Sequence, residues 1–373
     1  MKPPARLLFA DSDRHADQRY ATGVFVPDPF LWVQVGRRRL ALVSPLEFGR
    51  LQRTLRPGTE VLNLADARRV LQCRDLSAAG QIAAVSRHLG VRRWTVGADF
   101  PLALARRVAR RGLVLSPAKG PLFPERERKS AAEAKLVEQG VRLAEAGLAA
   151  GLAILRQARI VRDELRWQGR ALTSEILRGE IEAVICRRGG VALHTIVAGG
   201  PDGADPHEAG HGTLRPDQPI ILDIFPQVAA TGYYGDLTRT VVKGRAPDLV
   251  HRAFAAVRRA RDLAIRRLKP GVTGRAIHQL VCRALADAGF ETDAKASPPH
   301  GFFHGTGHGL GLEIHEPPRL SLGGGPLRTG HVVTVEPGLY YREWGGVRLE
   351  DVVWLVPGGC RNLTRVPSVL ELD

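Results

Sequence analysis

The sequence predicts an α+β protein in two parts, a smaller α/β domain over residues 1–122 and a larger α+β domain over residues 123–373. Three observations support this division. Short β-rich runs and a helical pattern alternate in the first part, and the stretch 116–129 is rich in proline and charge, as linkers are. Beyond that stretch, two helical patterns followed by strand-like runs occur twice in the same order, which predicts two related α+β halves.

The N-terminal part contains two apolar, β-rich runs, residues 30–36 and 39–45, which meet at Gly36, Arg37 and Arg38. Such an arrangement is typical of a β-hairpin. A further strand is predicted over 92–99. Residues 104–112 alternate apolar and basic side chains at helical spacing and predict a helix.

The C-terminal part begins with a long helix, predicted over 131–157 because apolar residues recur there at three-four spacing. Thr173 is a plausible N-cap for a second helix. Asp248 and Thr273 are predicted to cap the two helices of the second half. Strands are predicted at five places, namely 192–200, 219–226, 232–244, 331–341 and 345–356.

Composition indicates an ordinary globular protein, since 44% of the 373 residues are hydrophobic and 25% are charged. We find no apolar run near the ~18–20 residues that span a bilayer, and the N-terminal residues lack a secretory pattern. We therefore predict a cytoplasmic protein with no membrane partner. The scattered cysteines are expected to be buried thiols without disulfide pairing: Cys73, Cys186, Cys282 and Cys360.

The formal net charge of +16 raises the alternative of a nucleic-acid or membrane-surface partner. The excess is almost entirely arginine, 47 residues against 7 lysines, and it is spread along the chain in doublets instead of one block. Dispersed arginines are typical of the polar faces of helices. We therefore predict no nucleic-acid partner.

Four carboxylates in the C-terminal part interrupt apolar, strand-like runs: Asp223, Asp236, Glu336 and Glu350. A carboxylate in such a run is costly to bury unless something neutralises it. A hairpin between the two aspartates would bring them onto adjacent strands. Clustered acids also raise one another's pKa values, and divalent metal ions are the simplest source of compensating charge.

A glycine-rich segment, residues 302–318, adds three histidines: His304, His308 and His315. Its interleaved glycines suit an extended, closely packed backbone. One imidazole together with four carboxylates is a hard, oxygen-rich ligand set, which favours a pair of Mn, Co, Fe or Zn ions over a thiolate site.

A structural alternative exists for each acid, because a buried carboxylate commonly pairs with arginine. Asp236 has Arg239 nearby in the sequence, and Glu350 has Arg348. For the five predicted ligands taken together, metal binding is the better interpretation.

Five motifs in this order resemble the pita-bread metallopeptidases of family M24, which include methionine aminopeptidase, aminopeptidase P and prolidase. The motifs are DIFP, GDLTRT, GTGHGLG, TVEPG and VRLED. The resemblance implies a pita-bread (creatinase/aminopeptidase-like) catalytic domain over 123–373. It also implies a creatinase-type N-terminal domain over 1–122, which methionine aminopeptidases lack.

The resemblance further implies two divalent metal ions per chain, of Mn, Co or Zn. Asp236 and Glu350 would bridge them, His308 and Glu336 would complete one ion, and Asp223 the other. The two aspartates lie two residues farther apart than is usual in the family. Because a hairpin grows on both arms, this insertion keeps their face parity, and we expect both ligands to be retained.

Other roles follow by position. His315 would steady the tetrahedral intermediate, Glu336 would double as general base, and His207 would donate to the substrate or leaving group, with His211 as the alternative. Substrate or supporting contacts are implied for three further residues: His304, Arg319 and Arg348.

By resemblance the substrates are short proline-containing peptides, and the protein would be a homodimer. Arg319 resembles a prolidase arginine that meets a dipeptide's free carboxylate, which favours an Xaa-Pro dipeptidase. The alternatives are aminopeptidase P acting on longer peptides, creatinase, whose fold lacks the metal ligands, and a binding protein without catalysis.

Overall fold

A computed structural model describes residues 5–373 of the chain. Two compact units divide between Arg126 and Glu127, within the stretch predicted to be a linker and just beyond the boundary predicted after residue 122. Each unit has its own sheets, helices and buried core.

The N-terminal unit is a mixed sheet with helices. Its strands are β1 Ala5–Ala10, β2 Phe30–Val35, β3 Arg38–Val43, β4 Thr59–Asn63, β5 Arg93–Val96 and β6 Val114–Pro117. Its helices are α1 Ala16–Thr22, α2 Pro45–Thr54, α3 Ala67–Val70, α4 Ala78–Leu89 and α5 Leu102–Ala109. The strands lie in the order β4-β3-β2-β1-β5-β6. The predicted hairpin is present, since β2 and β3 pair antiparallel around a turn in which Gly36 has φ 60°.

The alternation of side chains along these strands builds a core on each face of the sheet. Leu31 and Val33 pack into one buried cluster, whereas Trp32 between them packs into the other. Successive residues of a strand point to opposite faces, so an apolar run is required where both faces are covered. This explains why residues 30–33 are continuously apolar.

The C-terminal unit holds two pairs of helices, α6 Ala131–Gln157 with α7 Ser174–Arg187 and α8 Asp248–Arg267 with α9 Gly274–Ala286. The strands of its first half are β7 Arg159–Val161, β8 Glu164–Trp167, β9 Arg170–Ala171, β10 Gly190–Val191, β11 Ile196–Gly199, β12 Ile220–Asp223, β13 Gln227–Val228 and β14 Thr238–Lys243. The remaining strands are β15 Gly307–Gly309, β16 Glu316–Leu320, β17 Val332–Val335, β18 Gly338–Tyr341, β19 Gly345–Arg348, β20 Asp351–Val356, β21 Gly359–Asn362 and β22 Glu371–Leu372. Short 3₁₀ helices occur at Pro124–Glu127 and Gly200–Ala204.

Helix starts follow the local sequence with one exception. Ser130 and Glu133 form a capping box at α6, and the hydroxyls of Thr173 and Thr273 accept backbone N–H bonds at α7 and α9, as predicted for both threonines. The prediction for Asp248 is wrong: it is the first helical residue, and Pro247 occupies the N-cap. The negative charge of Asp248 in the first turn still interacts favourably with the positive end of the helix dipole.

The two halves have separate cores. In the first half, α6 and α7 pack with the sheet β11-β12-β14-β22. In the second half, α8 and α9 pack with the sheet β16-β15-β17-β20-β21. The repeated order predicted from the sequence is thus a repeated packing of one helix pair with one sheet.

The halves join where β14 meets the segment that links β19 to β20. The Glu350 backbone N–H donates to the Thr238 carbonyl at 3.1 Å. Thr240 Oγ1 accepts from the Arg348 backbone N–H at 2.9 Å. These bonds bring the ends of strands from both halves together at one place.

The cysteines form no disulfide among the described residues. Cys73 is buried as predicted. Cys186 is exposed and Cys282 and Cys360 are half-buried, so the expectation of buried thiols is wrong for these three residues. In the described chain, 5–373, we find no helix both long and apolar enough to cross a bilayer.

We expect His331 to make the C-terminal unit sensitive to acid. Its ring is buried, Nδ1 accepts from the Arg328 backbone N–H at 3.2 Å, and within residues 5–373 Nε2 has no hydrogen-bond partner. Burial, followed by the charge of Lys129, lowers the pKa of His331 to about 4. Because the folded-state pKa lies below the unfolded value, the stability that depends on the neutral ring is present above about pH 6.5 and is lost as the pH falls toward 4.

We expect His331→Asn to reduce the acid sensitivity of folding. Between pH 7 and pH 4.5, wild type should lose roughly 2 to 3 kcal/mol more unfolding free energy than the variant. Urea titrations at both pH values measure this difference, with the exposed His88→Asn as the control. An identical pH dependence in wild type and His331→Asn would contradict the prediction.

Candidate metal and active site

The four predicted acids lie at strand ends. Asp223 is the last residue of β12, Asp236 precedes β14, Glu336 directly follows β17, and Glu350 lies between β19 and β20. The prediction that the acids are embedded in strands is therefore wrong for Asp236 and Glu350, whereas Asp223 belongs to β12 and Glu336 lies at the end of β17. A strand end frees the side chain from the packed face, so a carboxylate can turn into a cavity instead of the core.

Every predicted site residue lines one cavity of about 770 Å³. The set comprises Asp223, Asp236, His308, Glu336, Glu350, His207, His315, His304, Arg319 and Arg348. His211, the alternative to His207, is not in the lining and instead pairs with Asp202 on the surface at 3.1 Å.

Three of these residues form a tight group of metal-ligating atoms. One donor atom from each of Asp236, His308 and Glu350 lies within 4.8 Å of the others, and all three residues are buried. His308 Nε2 lies 3.8 Å from Asp236 Oδ2 and 3.2 Å from Glu336 Oε1. The imidazole therefore faces two carboxylates at once.

The orientation of His308 suits a metal ligand. Its Nδ1 lies 3.1 Å from the Gly309 carbonyl and donates to it, which leaves Nε2 directed at the acids. Metal-bound histidines typically donate their second ring N–H to a carbonyl or carboxylate in this way.

Burial and repulsion outweigh the nearby positive charge at two of the buried carboxylates. Burial, followed by the negative charge of Asp223, raises the pKa of Asp236 well above its ordinary value. Burial and the charge of Asp236 likewise raise the pKa of Glu350. Both carboxylates would be ionised more readily if a cation were bound between them.

Glu336 and His308 behave in the opposite way because they pair with each other. Burial alone would raise the pKa of Glu336, but the hydrogen bond from His308 and its charge lower that pKa to about 2. Burial would lower the pKa of His308, and the bond to Glu336 outweighs this effect and raises it.

Unused acceptor atoms also fit bound cations. Glu350 Oε1 and Asp223 Oδ1 are buried and accept no hydrogen bond from the described part of the chain. The other oxygen of Glu350 accepts from Thr238 Oγ1 at 2.7 Å. A buried oxygen without a donor is costly unless a ligand satisfies it, so the donor set fits divalent metal ions.

The arginine alternative fails for the acids to which it was assigned. Arg239 donates to Asp351 Oδ1 at 2.8 Å, and Asp236 is not its partner. Arg348 donates to Asp223 Oδ2 at 2.6 Å and not to Glu350. Asp223 thus has one partly compensated oxygen, whereas Asp236 and Glu350 have no arginine partner within residues 5–373.

Tyr340 is a site residue that the sequence did not reveal. Arg348 Nη1 donates to the Tyr340 hydroxyl at 2.9 Å, and that hydroxyl lies 2.9 Å from His304 Nε2. His304 Nδ1 donates to the Gly305 carbonyl at 2.8 Å, so Nε2 is free to accept from Tyr340. Burial lowers the pKa of His304 to about 4 and raises that of Tyr340 to about 12, which keeps both groups neutral at pH 7.

His315 and His194 complete the histidines of the cavity. The His315 ring packs edge-on to the His308 ring, with centroids 4.3 Å apart. Burial of the ring, followed by the charge of His308, lowers the pKa of His315 to about 4. His194 also lines the cavity, at a position with φ 65°.

Glycines bring the ligand strand into place. A Cβ on Gly307 would collide with the Thr334 carbonyl of β17, and one on Gly309 with the Pro317 carbonyl of β16. Only glycine permits this close approach of backbones on both sides of His308. The glycine-rich pattern therefore reflects the close packing predicted for this segment.

Residues 135–357, more than half of the chain, match metallopeptidase family M24. The chain belongs to this family. The family predicted from the five motifs is thus confirmed, and M24 membership implies that the protein binds divalent metal.

Individual relatives match over shorter stretches. An uncharacterized peptidase, YqhT of Bacillus subtilis, is 40% identical over 140 residues, which is 37% of this chain and 37% of the relative. An Xaa-Pro dipeptidase of Pyrococcus furiosus is 32% identical over 181 residues, 48% of this chain and 49% of the relative. The alignments thus span about half or less of these relatives.

The likeness to one solved structure extends over the whole chain. The X-Pro aminopeptidase from Thermotoga maritima has a TM-score of 0.83 at 22% identity, with 100% of this chain and 98% of that chain covered. Similarity at this identity shows the fold. It confirms the predicted α+β, pita-bread fold with its smaller N-terminal part.

Proposed function

We propose that this M24 protein is a dinuclear metal-dependent Xaa-Pro dipeptidase, which hydrolyses the peptide bond before proline in dipeptides or short peptides. The observation that carries the proposal is the convergence of five ligand-type side chains and four further histidines in one cavity. A relative named Xaa-Pro dipeptidase supports the substrate class.

Two divalent ions, of Mn, Co or Zn, would be held by the five predicted ligands: Asp223, Asp236, His308, Glu336 and Glu350. When bound, such ions supply Lewis acidity, which lowers the pKa of water and polarises a peptide carbonyl. The raised pKa values of Asp236 and Glu350 support this assignment, since both carboxylates need positive charge.

Three side chains would carry the proton transfers and stabilise charge. Glu336 would accept the proton of the attacking water, because its carboxylate lines the cavity beside the tight ligand group, 3.2 Å from His308 Nε2. His315, neutral at pH 7, donates its ring N–H to the developing oxyanion. His207, in the cavity wall, would donate to the substrate or to the leaving imino group.

The substrate would be bound at both ends. Arg319 is exposed at the cavity wall, where its guanidinium can pair with the C-terminal carboxylate of a dipeptide. Phe303 and Ile314 line the same cavity and offer apolar surface for a proline ring. The chain of bonds through Arg348 and Tyr340 would orient His304 toward the peptide.

Parallel assays of Ala-Pro and Ala-Pro-Ala, with Mn or Co added, test the proposal. We expect hydrolysis of Ala-Pro and little of Ala-Pro-Ala, because a tripeptide moves its carboxylate away from Arg319. Arg319→Met should raise KM for Ala-Pro by about tenfold or more, the loss of one charge-assisted pair. The exposed Arg259→Met is the matched control.

Cleavage of the tripeptide in preference to the dipeptide would replace the proposal with an aminopeptidase P activity. Absence of cleavage of both peptides, with metal bound, would contradict the proline assignment. The predicted cytoplasmic location and homodimer stay predictions, which fractionation and sedimentation would measure.

A further inference from the structure

A buried ion pair lies behind the segment that bears His315. Lys129 Nζ donates to Glu316 Oε1, and the two side chains are only 2% and 5% exposed. Glu316 directly follows His315 in the chain and is the first residue of β16. The pair therefore holds the backbone immediately adjacent to a cavity residue.

Lys129 is itself fixed to the C-terminal unit. Its backbone N–H donates to the Gly330 carbonyl at 2.7 Å, and the Arg128 side chain donates to the Thr329 carbonyl at 3.1 Å. Ser130, the next residue, caps α6 with a capping box. The ammonium group thus extends from a rigid helix start.

The Glu316 carboxylate, the other partner of the ion pair, packs against the segment from Gly311 to Glu316. A Cβ on Gly311 would come within 2.6 Å of Glu316 Oε1, so the carboxylate lies directly against the Gly311 backbone. The Gly311 carbonyl accepts from the Tyr234 N–H at 2.8 Å, which connects the segment to the hairpin that carries Asp236. In register, Glu316 faces Gly309, the residue after His308.

Stability is a weak explanation for this pair. Desolvation of two buried charges offsets much of their attraction, and well-packed apolar residues are often as stable. In residues 5–373, the ring of His315 makes one ring contact, with His308, and its ring nitrogens make no hydrogen bond. A fixed backbone at the next residue would limit the directions in which that ring points.

We infer that the buried Lys129–Glu316 ion pair positions His315 for catalysis by anchoring the segment from Gly311 to Glu316. This inference rests on the proposed role of His315. Lys129 and Glu316 are positioning residues, since neither lines the cavity. Their removal should therefore lower kcat through His315 and leave metal content and KM near wild type.

The test removes both charges together, as Lys129→Met with Glu316→Gln, because either change alone would break this ion pair and leave the other charge buried. We expect kcat on Ala-Pro to fall by about 10- to 100-fold, with KM changed less than about twofold. In a His315→Ala background the same pair of changes should lower kcat by less than about twofold, because the side chain being positioned is gone. Arg215→Met, which removes the exposed pair with Asp163, is the control.

Hydrogen exchange of residues 311–316 gives a reading that does not depend on activity. Exchange should become at least about tenfold faster in the Lys129→Met/Glu316→Gln variant and stay unchanged in Arg215→Met. Faster exchange in a protein that cleaves neither peptide would retain the anchor and reject the proposed function. Two outcomes would overturn the inference. One is a Lys129→Met/Glu316→Gln variant with the kcat and the hydrogen exchange of wild type. The other is an equal loss of kcat in the presence and in the absence of the His315 side chain.

Discussion

Asp236→Asn is expected to lower kcat on Ala-Pro by three orders of magnitude or more and to release bound metal. Asp236 belongs to the tight group with His308 and Glu350, and groups that act as one unit lose most of their effect when one member is removed. An amide keeps the shape of the side chain but removes the negative charge that attracts a cation. Steady-state kinetics and metal analysis by mass spectrometry measure both effects.

The same substitution should stabilise the metal-free protein. The folded-state pKa of Asp236 lies well above its ordinary value, because burial and Asp223 disfavour the ionised form. Stability that depends on the protonated carboxyl is therefore complete below about pH 4 and is lost as the pH rises through the folded-state pKa. An asparagine does not titrate, so the unfolding free energy of the variant relative to wild type should increase with pH.

Unfolding titrations in chelator at pH 4, 6 and 8 would show this reversal. At pH 8 and without metal, the unfolding free energy of Asp236→Asn should exceed that of wild type. With saturating Mn, wild type should have the higher unfolding free energy. Asp287→Asn, on an exposed acid after α9, controls for the loss of one charge. A metal-free variant that is less stable than wild type at pH 8 would show that Asp236 is compensated by protein groups alone.

The sequence predicted the helix pairs well because their starts and periods are local properties. The helix predicted over 131–157 is observed as Ala131–Gln157, preceded by a serine cap. The prediction of an N-cap at Asp248 was wrong because Pro247 occupies that position and Asp248 begins the first turn. A proline has a fixed φ and no N–H, and both properties are compatible with the start of a helix.

Part of the site was also predictable. A carboxylate that interrupts an apolar run requires compensation wherever the chain folds, so the acids could be grouped from sequence. Their arginine partners could not, because proximity in sequence does not fix direction. Arg348 lies in β19 whereas Glu350 lies in the connection after it, and the guanidinium extends to Asp223 instead.

Long-range partners gave no sequence signal. Tyr340 is indistinguishable from a packing tyrosine until β18 pairs with β19 and places its hydroxyl beside Arg348. Lys129 and Glu316 lie far apart in the chain, and a lone lysine before a helix resembles any solvated charge. Their burial becomes evident only when the start of α6 and the His315 segment are seen together.

Glu336→Gln is expected to lower kcat by about 10²- to 10⁴-fold, the usual contribution of a general base. Glu336 Oε1 lies 3.2 Å from His308 Nε2 and accepts from Thr334 Oγ1 at 3.1 Å, so the side chain is held in one place. Glutamine retains this shape and can still offer a carbonyl oxygen, but it takes up no proton. The loss should therefore fall mainly on kcat, with KM for Ala-Pro changed by less than about tenfold.

Comparison with Asp236→Asn separates the two roles of Glu336. If it acts as a base in addition to holding metal, Glu336→Gln saturated with Mn should retain more metal than Asp236→Asn while its kcat stays low. Glu343→Gln, on an exposed acid of the same unit, controls for the change of one charge. Recovery of kcat to within tenfold of wild type at high Mn would assign Glu336 to metal binding alone and leave the proton to another group of the cavity.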